Sequence, residues 1–440
     1  GVLWDAGRCR CRAGASRRWL GESLDAGDSR FTGGGALPDG GAWGATVFSS
    51  AMAPQEREIV VRRRRDMWLE RLNGNGHWMF DWFRHQRRDA FYKQGSICED
   101  YAKVKAAVYA VGGWADGYTN PIFRMMEHLP GPRKALIGPW AHKYPHFATP
   151  APRIGFLQEC LRWWDQHLKG IDTGIMEEPM IRAWVQEPAK PSPKPAERPG
   201  RWVAETGWPA DRAGSVWHLG RDGLTAAPQA GDIVISSLLT AGRTAPNWCQ
   251  YGFGADGPQD QRDELGLVTV FETAPLAEDI DLLGFPYLEA EVMSDRPVGQ
   301  IAAVLAAVDA DGAATMISFG VLNLTHRRSH ESPEPMPVGR AERIRVQLNV
   351  CGQKIGRGQK IRLTVSGSYW PVIWPAPEKA ALTLKEGSAR LQLPRRAGRA
   401  EDTRLAAFAR PEGATPLEAE QLSPGTWHRR IIRDVATGTE

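Results

Sequence analysis

Two residues stand where proton-transfer chemistry needs them: Asp116, in the run GGWADGY (112–118), and His142, in the run GPWAH (138–142). A carboxylate beside an imidazole fixes the ring's tautomer and stabilises its charged form. The second ring nitrogen can then take a proton from a nucleophile and return it to a leaving group. Taken singly, an Asp-Gly pair is usually a turn and a loop histidine is usually structural. Only their joint placement carries weight, and that rests on the elements around them.

Each motif closes a short apolar run. AAVYAVGG (106–113) and KALIG (134–138) read as buried parallel strands. Between them, Asn120-Pro121 offers an N-cap with proline at the first helical position, opening a helix to about Leu129. Residues 153–169 form a second, Trp-rich amphipathic helix, completing a right-handed βαβ pattern. Neighbouring parallel strands lie about 4.8 Å apart, and the loops at their C-terminal ends meet at one sheet edge, where open α/β sheets bind ligands. The 26 positions separating Asp116 from His142 leave room for one crossover helix. Asp before His is also the chain order of α/β-hydrolases. Trp114 and Tyr118 flank the acid and are the expected substrate-binding residues, Tyr118 as a wall of the acyl pocket; the alternative is aromatic packing beside a turn.

The runs VGGWADGYTN (111–120), GPRKALIGPWAHKYPH (131–146) and RWWDQHLKGID (162–172) resemble the X-prolyl dipeptidyl-peptidase and cocaine-esterase group, the CocE/NonD hydrolases. The resemblance implies that Asp116 and His142 are the acid and base of a serine triad. MWLERL (67–72) and RHQRRDAFYKQGSICEDY (84–101) are similar to that family's helical cap. YLEAEVMSDRP (287–297) and GQKIRLTVSGSYWP (358–371) are similar to its C-terminal jelly roll. The expected fold is therefore α/β plus all-β: an incomplete α/β-hydrolase sheet with a helical cap, then a jelly-roll β-sandwich. The family's nucleophile sits in a G-x-S-x-G elbow upstream of the cap, with an oxyanion-stabilising tyrosine in an earlier loop. No G-x-S-x-G occurs here. Gly21-Glu-Ser23-Leu-Asp25 approaches it without the second glycine or a preceding apolar strand, while Ser96 falls in the cap match and Ser366 in a jelly-roll strand. The expectation is a chain that holds the triad Asp and His, lacks the serine, and is inactive alone.

Five segments follow. Residues 1–40, rich in Arg and Gly, read as poorly ordered or disrupted. Residues 41–105 read as the helical cap, with Trp68, Leu69 and Leu72 on one face, Trp78, Trp82 and His85 recurring at i, i+4 and i+7, and a solvated Arg62–Arg65 run. Residues 106–186 form the C-terminal part of the hydrolase domain. The stretch 187–200, with five prolines, reads as a linker, and 201–435 as the jelly roll built of many short strands.

At 440 residues the chain has room for two or three domains. Its net charge of +4 gives no reason to expect a nucleic acid or membrane partner. No run approaches the roughly 20 apolar residues of a membrane span. Six scattered cysteines suggest a reducing, cytoplasmic setting, and Cys9 with Cys11 is too few ligands for zinc. Neither a metal nor a cofactor is expected. The expected partner is a small-molecule ester or peptide substrate, and a homo-oligomer stays open. The competing reading is a non-catalytic β-sandwich that binds a carbohydrate or a protein partner, since sandwich folds host many binding roles.

Overall fold

The computed structural model describes residues 31–415, apart from 77, 210–213 and 253, and isolated positions beyond 415. A short hairpin comes first, β1 (Phe31–Thr32) with β2 (Gly35–Ala36), followed by helices α1 (Pro38–Met52), α2 (Arg64–Gly74) and α3 (Trp78–Arg84). The helical period is realised, but its apolar stripe is thin: α2 buries no residue fully, and Leu69 is exposed. Trp82 is buried beside Trp43, and His85 stacks on Phe91. The expected disorder of 1–40 falls largely outside the described residues. Positions 31–40 differ from it, because Leu37 is buried with Ala302, Val304 and Tyr369, and the Asn323 amide donates to the Gly33 carbonyl.

Strand β3 (Val108–Gly113) pairs in parallel with β4 (Arg133–Gly138), Val108 opposite Arg133 and Gly113 opposite Gly138. Helix α4 (Thr119–His128) connects them and buries Ile122, Phe123, Met125 and Met126 against Ala110, Ala135 and Ile137. The alternate residues, Tyr109, Val111 and Leu136, face the other layer, where α5 (Phe156–Leu168) supplies Phe156 and Trp163. This is the period-2 alternation of strands buried on both faces. Helix α4 starts two residues earlier than the Asn120 cap predicts, with Tyr118 as its cap residue. Asn120 instead accepts from the Val350 amide and donates to Asn349 Oδ1, pinning the helix to the C-terminal part of the chain.

Strand β5 (Ile181–Gln186) joins β4 in parallel, and β6 (Gly200–Glu205) pairs antiparallel with β5. The proline-rich stretch therefore joins two neighbouring strands of one sheet instead of linking two domains. Prolines withhold backbone donors and so end a strand; here they give a stiff connecting loop, bridged at Glu197 to Ala151.

Beyond it come β7 (Ser215–Gly220), β8 (Gly223–Thr225), β9 (Ile233–Ile235), β10 (Thr269–Glu272), β11 (Ile280–Gly284), β12 (Tyr287–Ser294) and β13 (Gln300–Val308). They are followed by β14 (Ala314–Asn323), β15 (Glu342–Gln347), β16 (Cys351–Ile355), β17 (Lys360–Ser366), β18 (Leu382–Leu384), β19 (Arg390–Leu393) and β20 (Arg395–Arg396). One sheet runs β10-β17-β13-β14, and another runs β8-β7-β19-β12-β18-β9 with β15 on β12. Leu288, Val292, Ile301, Leu305, Ile344 and Leu363 belong to the core that they share. The architecture is thus α/β plus a β-sandwich. Strands β11, β16 and β20 extend the first sheet in the order β20-β11-β16-β5-β4-β3, so the sheet crosses the boundary expected at residue 201. Strand β13 is buried along its whole length. Ile301, Ala303 and Leu305 point into the sandwich, while Ala302 and Val304 are covered by a patch that includes Leu37, Ala245 and Tyr369. That covering brings the loop around Ala245 toward the edge formed by β3 and β4.

Candidate active site

The two loops at the C-terminal ends of β3 and β4 are laced together. The Trp114 amide donates to the Gly138 carbonyl at 2.9 Å and the Ala115 amide to the Trp140 carbonyl at 3.1 Å. Glycine is required at 113, because a Cβ there would lie 2.0 Å from the Trp140 carbonyl oxygen. The chain then turns sharply, with the Asp116 amide donating to the Gly113 carbonyl. A Cβ at Gly117 would sit 2.9 Å from three ring atoms of Trp248. Both glycines serve close approach.

Within this frame His142 Nδ1 lies 3.0 Å from Asp116 Oδ2. Asp116 Oδ1 accepts from the Tyr118 amide at 3.1 Å. The Asp116 side chain is 3% exposed and that of His142 is 36% exposed, so the carboxylate is enclosed while the imidazole reaches the surface. Burial works to raise the Asp116 pKa, but the hydrogen bond and attraction of His142, with the Tyr118 amide, outweigh it and hold the carboxyl below its usual range. An ionised Asp116 can only accept, so Nδ1 must carry the proton when the ring is neutral. Nε2 is then the basic nitrogen.

Tyr118 lies beside the base, its ring centroid 5.7 Å from that of His142. Trp114, the other expected substrate contact, faces both the sheet and a cavity. Its Nε1 donates to the Trp184 carbonyl and its ring stacks on Phe123 at 5.9 Å, so it packs the loop against the sheet. It also borders a small cavity of about 50 Å³, shared with Asp116, Trp248, Phe319 and Asn349. Ser96 and Ser366 spend their hydroxyls on the carbonyls of Tyr92 and Ser368, and Ser23 lies outside the described residues.

Sequence reasoning missed the third wall. The loop 247–252 is cinched by buried Asp256, which accepts from the amides of Tyr251 and Gly252. Its Gln250 carbonyl accepts from the His142 amide at 2.7 Å, and Tyr251 meets the imidazole edge-on at 5.4 Å. Trp248 meets Tyr118 edge-on at 5.2 Å. The Cys249 sulfur, an Asp116 carboxylate oxygen and a His142 ring nitrogen all lie within 4.8 Å of one another. The only signal in the sequence is a non-periodic, aromatic run, NWCQYG, set among turn residues.

A family model described as the X-Pro dipeptidyl-peptidase C-terminal non-catalytic domain matches residues 173–407, and one described as X-Pro dipeptidyl-peptidase (S15 family) matches residues 22–144. A protein named a serine esterase, from Mycobacterium bovis, is 26% identical over 245 residues, which cover 52% of this chain and 37% of that protein. One named a Xaa-Pro dipeptidyl-peptidase, from Streptomyces avermitilis, is 22% identical over 398 residues, 77% of this chain and 54% of that protein. Among solved structures, a CocE/NonD family hydrolase from Staphylococcus aureus is similar with a TM-score of 0.62 at 14% identity, covering 83% of this chain and 65% of that one. An alpha-amino acid ester hydrolase is similar with a TM-score of 0.57 at 16% identity, covering 75% and 62%. The chain spans between about a third and a half of the length of the curated relatives that it matches.

Proposed function

The chain belongs to the CocE/NonD hydrolases, the group of X-Pro dipeptidyl-peptidases and serine esterases, and from that premise we propose that Asp116 and His142 are the acid and base of an acyl-transfer site for esters or amides. The observation that carries this reading is the 3.0 Å contact between Asp116 Oδ2 and His142 Nδ1, made at the C-terminal edge of two adjacent parallel strands. The buried carboxylate orients the ring; Nε2 takes a serine hydroxyl's proton as the hydroxyl attacks the acyl carbon. The imidazolium then protonates the leaving alcohol or amine, and water repeats the sequence to free the acid. Tyr118, Trp248 and Tyr251 form an apolar wall around the imidazole suited to an acyl or aromatic group.

The proposal holds that the serine comes from a segment outside the described residues, since Asp and His cannot replace an activated nucleophile. The test uses a fluorophosphonate probe and an aryl ester on two proteins: the 440-residue chain, and the same chain preceded by the serine-bearing segment of a relative. Labelling and turnover in the extended protein, lost in its H142Q variant, are expected. Equal turnover with glutamine at 142 would end the assignment. Strong labelling of the 440-residue chain would place a nucleophile within it.

The non-catalytic sandwich reading predicts an aromatic face open to solvent. Phe319 and Tyr369 are instead buried beneath the loop that reaches His142, and Trp248 packs on Tyr118. These three aromatics are turned toward the site, whereas Trp374, beside Trp370, is exposed.

A further inference from the structure

Three donors of different chemistry converge on one point beneath the imidazole: a carboxylate oxygen of Asp116, a ring nitrogen of His142 and the Cys249 sulfur, none more than 4.8 Å from another. They come from three loops far apart in the chain. We propose that these three side chains form a binding site for a soft divalent cation of the zinc class, with a fourth position open to water on the exposed side of His142. The acyl-transfer reading does not depend on this site, and the site does not depend on that reading.

The donor set decides the class of metal. Thiolate and imidazole select zinc, or cobalt as its spectroscopic substitute, over magnesium and calcium, which prefer oxygen ligands. Three protein ligands with one open position is a common zinc arrangement. The size also fits. Bonds of about 2.0 Å to nitrogen or oxygen and 2.3 Å to sulfur set tetrahedral ligands about 3.3–3.7 Å apart, so closure from the observed spacing needs movements of about 1 Å or less. The donors are held in place before any ion arrives. Asp116 sits in the turn closed by its own amide on the Gly113 carbonyl, and the His142 amide is fixed on the Gln250 carbonyl. Cys249 is buried in the loop that Asp256 cinches. Tyr118, Trp248 and Tyr251 surround the group with apolar rings, which strengthens a charge–charge contact inside.

Nδ1 lies 3.0 Å from Asp116 Oδ2 and is taken as the ligand nitrogen. Binding releases the Cys249 thiol proton to solvent and leaves the imidazole proton on Nε2 instead of Nδ1. An Nε2 that carries a proton cannot act as a base. Metal occupancy and proton relay are therefore mutually exclusive states of one residue pair.

The test is a titration of the full chain with Co2+ in metal-free, phosphine-reduced buffer, read by absorbance. One equivalent of cobalt should give a near-ultraviolet thiolate charge-transfer band and the visible bands of a tetrahedral ion, both bleached by one equivalent of Zn2+. C249S should abolish the near-ultraviolet band and weaken zinc binding by about 100-fold or more, at least the loss seen on removing an outer-shell partner. H142Q should weaken binding similarly with every thiol intact, which keeps the test decisive if C249S folds poorly. C9S/C11S should leave the spectrum unchanged. Absence of stoichiometric binding, bands that survive C249S, or bands that vanish in C9S/C11S would each overturn the proposal. None of these readouts requires ester turnover.

Discussion

Two buried acid–base groupings in this molecule resemble each other chemically and differ in what they leave unspent. At the end of β6, Glu205 is fully enclosed and accepts from Arg396 Nε at 2.8 Å, while the other Arg396 nitrogens donate to Asp402 at 2.8 and 2.7 Å and to the Ala204 carbonyl at 3.1 Å. Arg399 adds a contact to Glu205 Oε2 at 3.1 Å. Arginine stays charged and its fork of donors is spent on fixed acceptors. The group can only hold β20 and the following turn against β6. Just past the end of β3, Asp116 is also buried, but its partner is titratable, partly exposed, and uses one ring nitrogen of two. If Asp116 and His142 act as proposed, what separates a working pair from a fastening one is the bonding capacity left over at an accessible edge.

The sharpest way to break this comparison is to give each group the same conservative change. In the extended protein, D116N should lower kcat about ten-thousand-fold, because an amide no longer holds the imidazole in the productive tautomer. KM should be nearly unchanged. E205Q should leave kcat within about twofold, since it touches nothing at the reacting edge. A D116N protein that keeps a tenth of its kcat would show that the pair at 116 and 142 only fastens.

Stability should rank the two groups in the opposite order. R396M removes the buried guanidinium from Glu205, leaving it only the half-buried Arg399, and should cost about 3–5 kcal/mol in urea unfolding. H142Q, with its side chain a third exposed, should cost about 1 kcal/mol. If R396M unfolds within 1 kcal/mol of the parent, the network at β6 is not the clamp described above.

Acid should act on both through their carboxylates. The Asp116 and Asp402 carboxyls are each pressed upward by burial and pulled further down by their partners, His142 in one case and Arg396 with the Ala204 and Arg399 amides in the other. A folded-state pKa below the unfolded one stabilises the protein above the ordinary carboxylate range, near pH 4, and that stabilisation is lost as pH falls through the lower folded value. Melting temperature should therefore drop below about pH 4 in the parent. D402N, whose residue 402 no longer titrates, should show a shallower acid limb than the parent in thermal scans from pH 3 to 7. Superimposable limbs would remove Asp402 from the account.

Much of the α/β edge was legible because its signals are local. AAVYAVGG and KALIG are apolar runs that end in glycines, and Asp116 and His142 follow them within four residues. Strands β12 to β15 and β17 were legible for the same reason, as in the strict alternation of burial along β12, while β16 was not. The third wall was not. NWCQYG reaches His142 from over 100 positions away, through a carbonyl, a buried carboxylate and ring edges, none of which imposes a period on the sequence. The course of 187–200 was misread because proline density looks the same in a tether and in a stiff loop between paired strands.

The smallest effect tests how the sandwich is fastened to the working edge. Asn120, two residues after Tyr118, donates to Asn349 Oδ1 at 2.8 Å and accepts from the Val350 amide at 2.9 Å. These two bonds join α4 to the segment between β15 and β16, beside the cavity that Asp116 lines. N120A removes both at about 1 kcal/mol each, without touching acid or base. The expected result is faster amide hydrogen exchange at 349–350 and in the first turn of α4, with exchange in β13 unaltered and kcat lowered less than tenfold. Unchanged exchange at Val350 would mean that the sandwich holds its position without α4, through its other ties, among them β16 on β5 and the loop at 247–252.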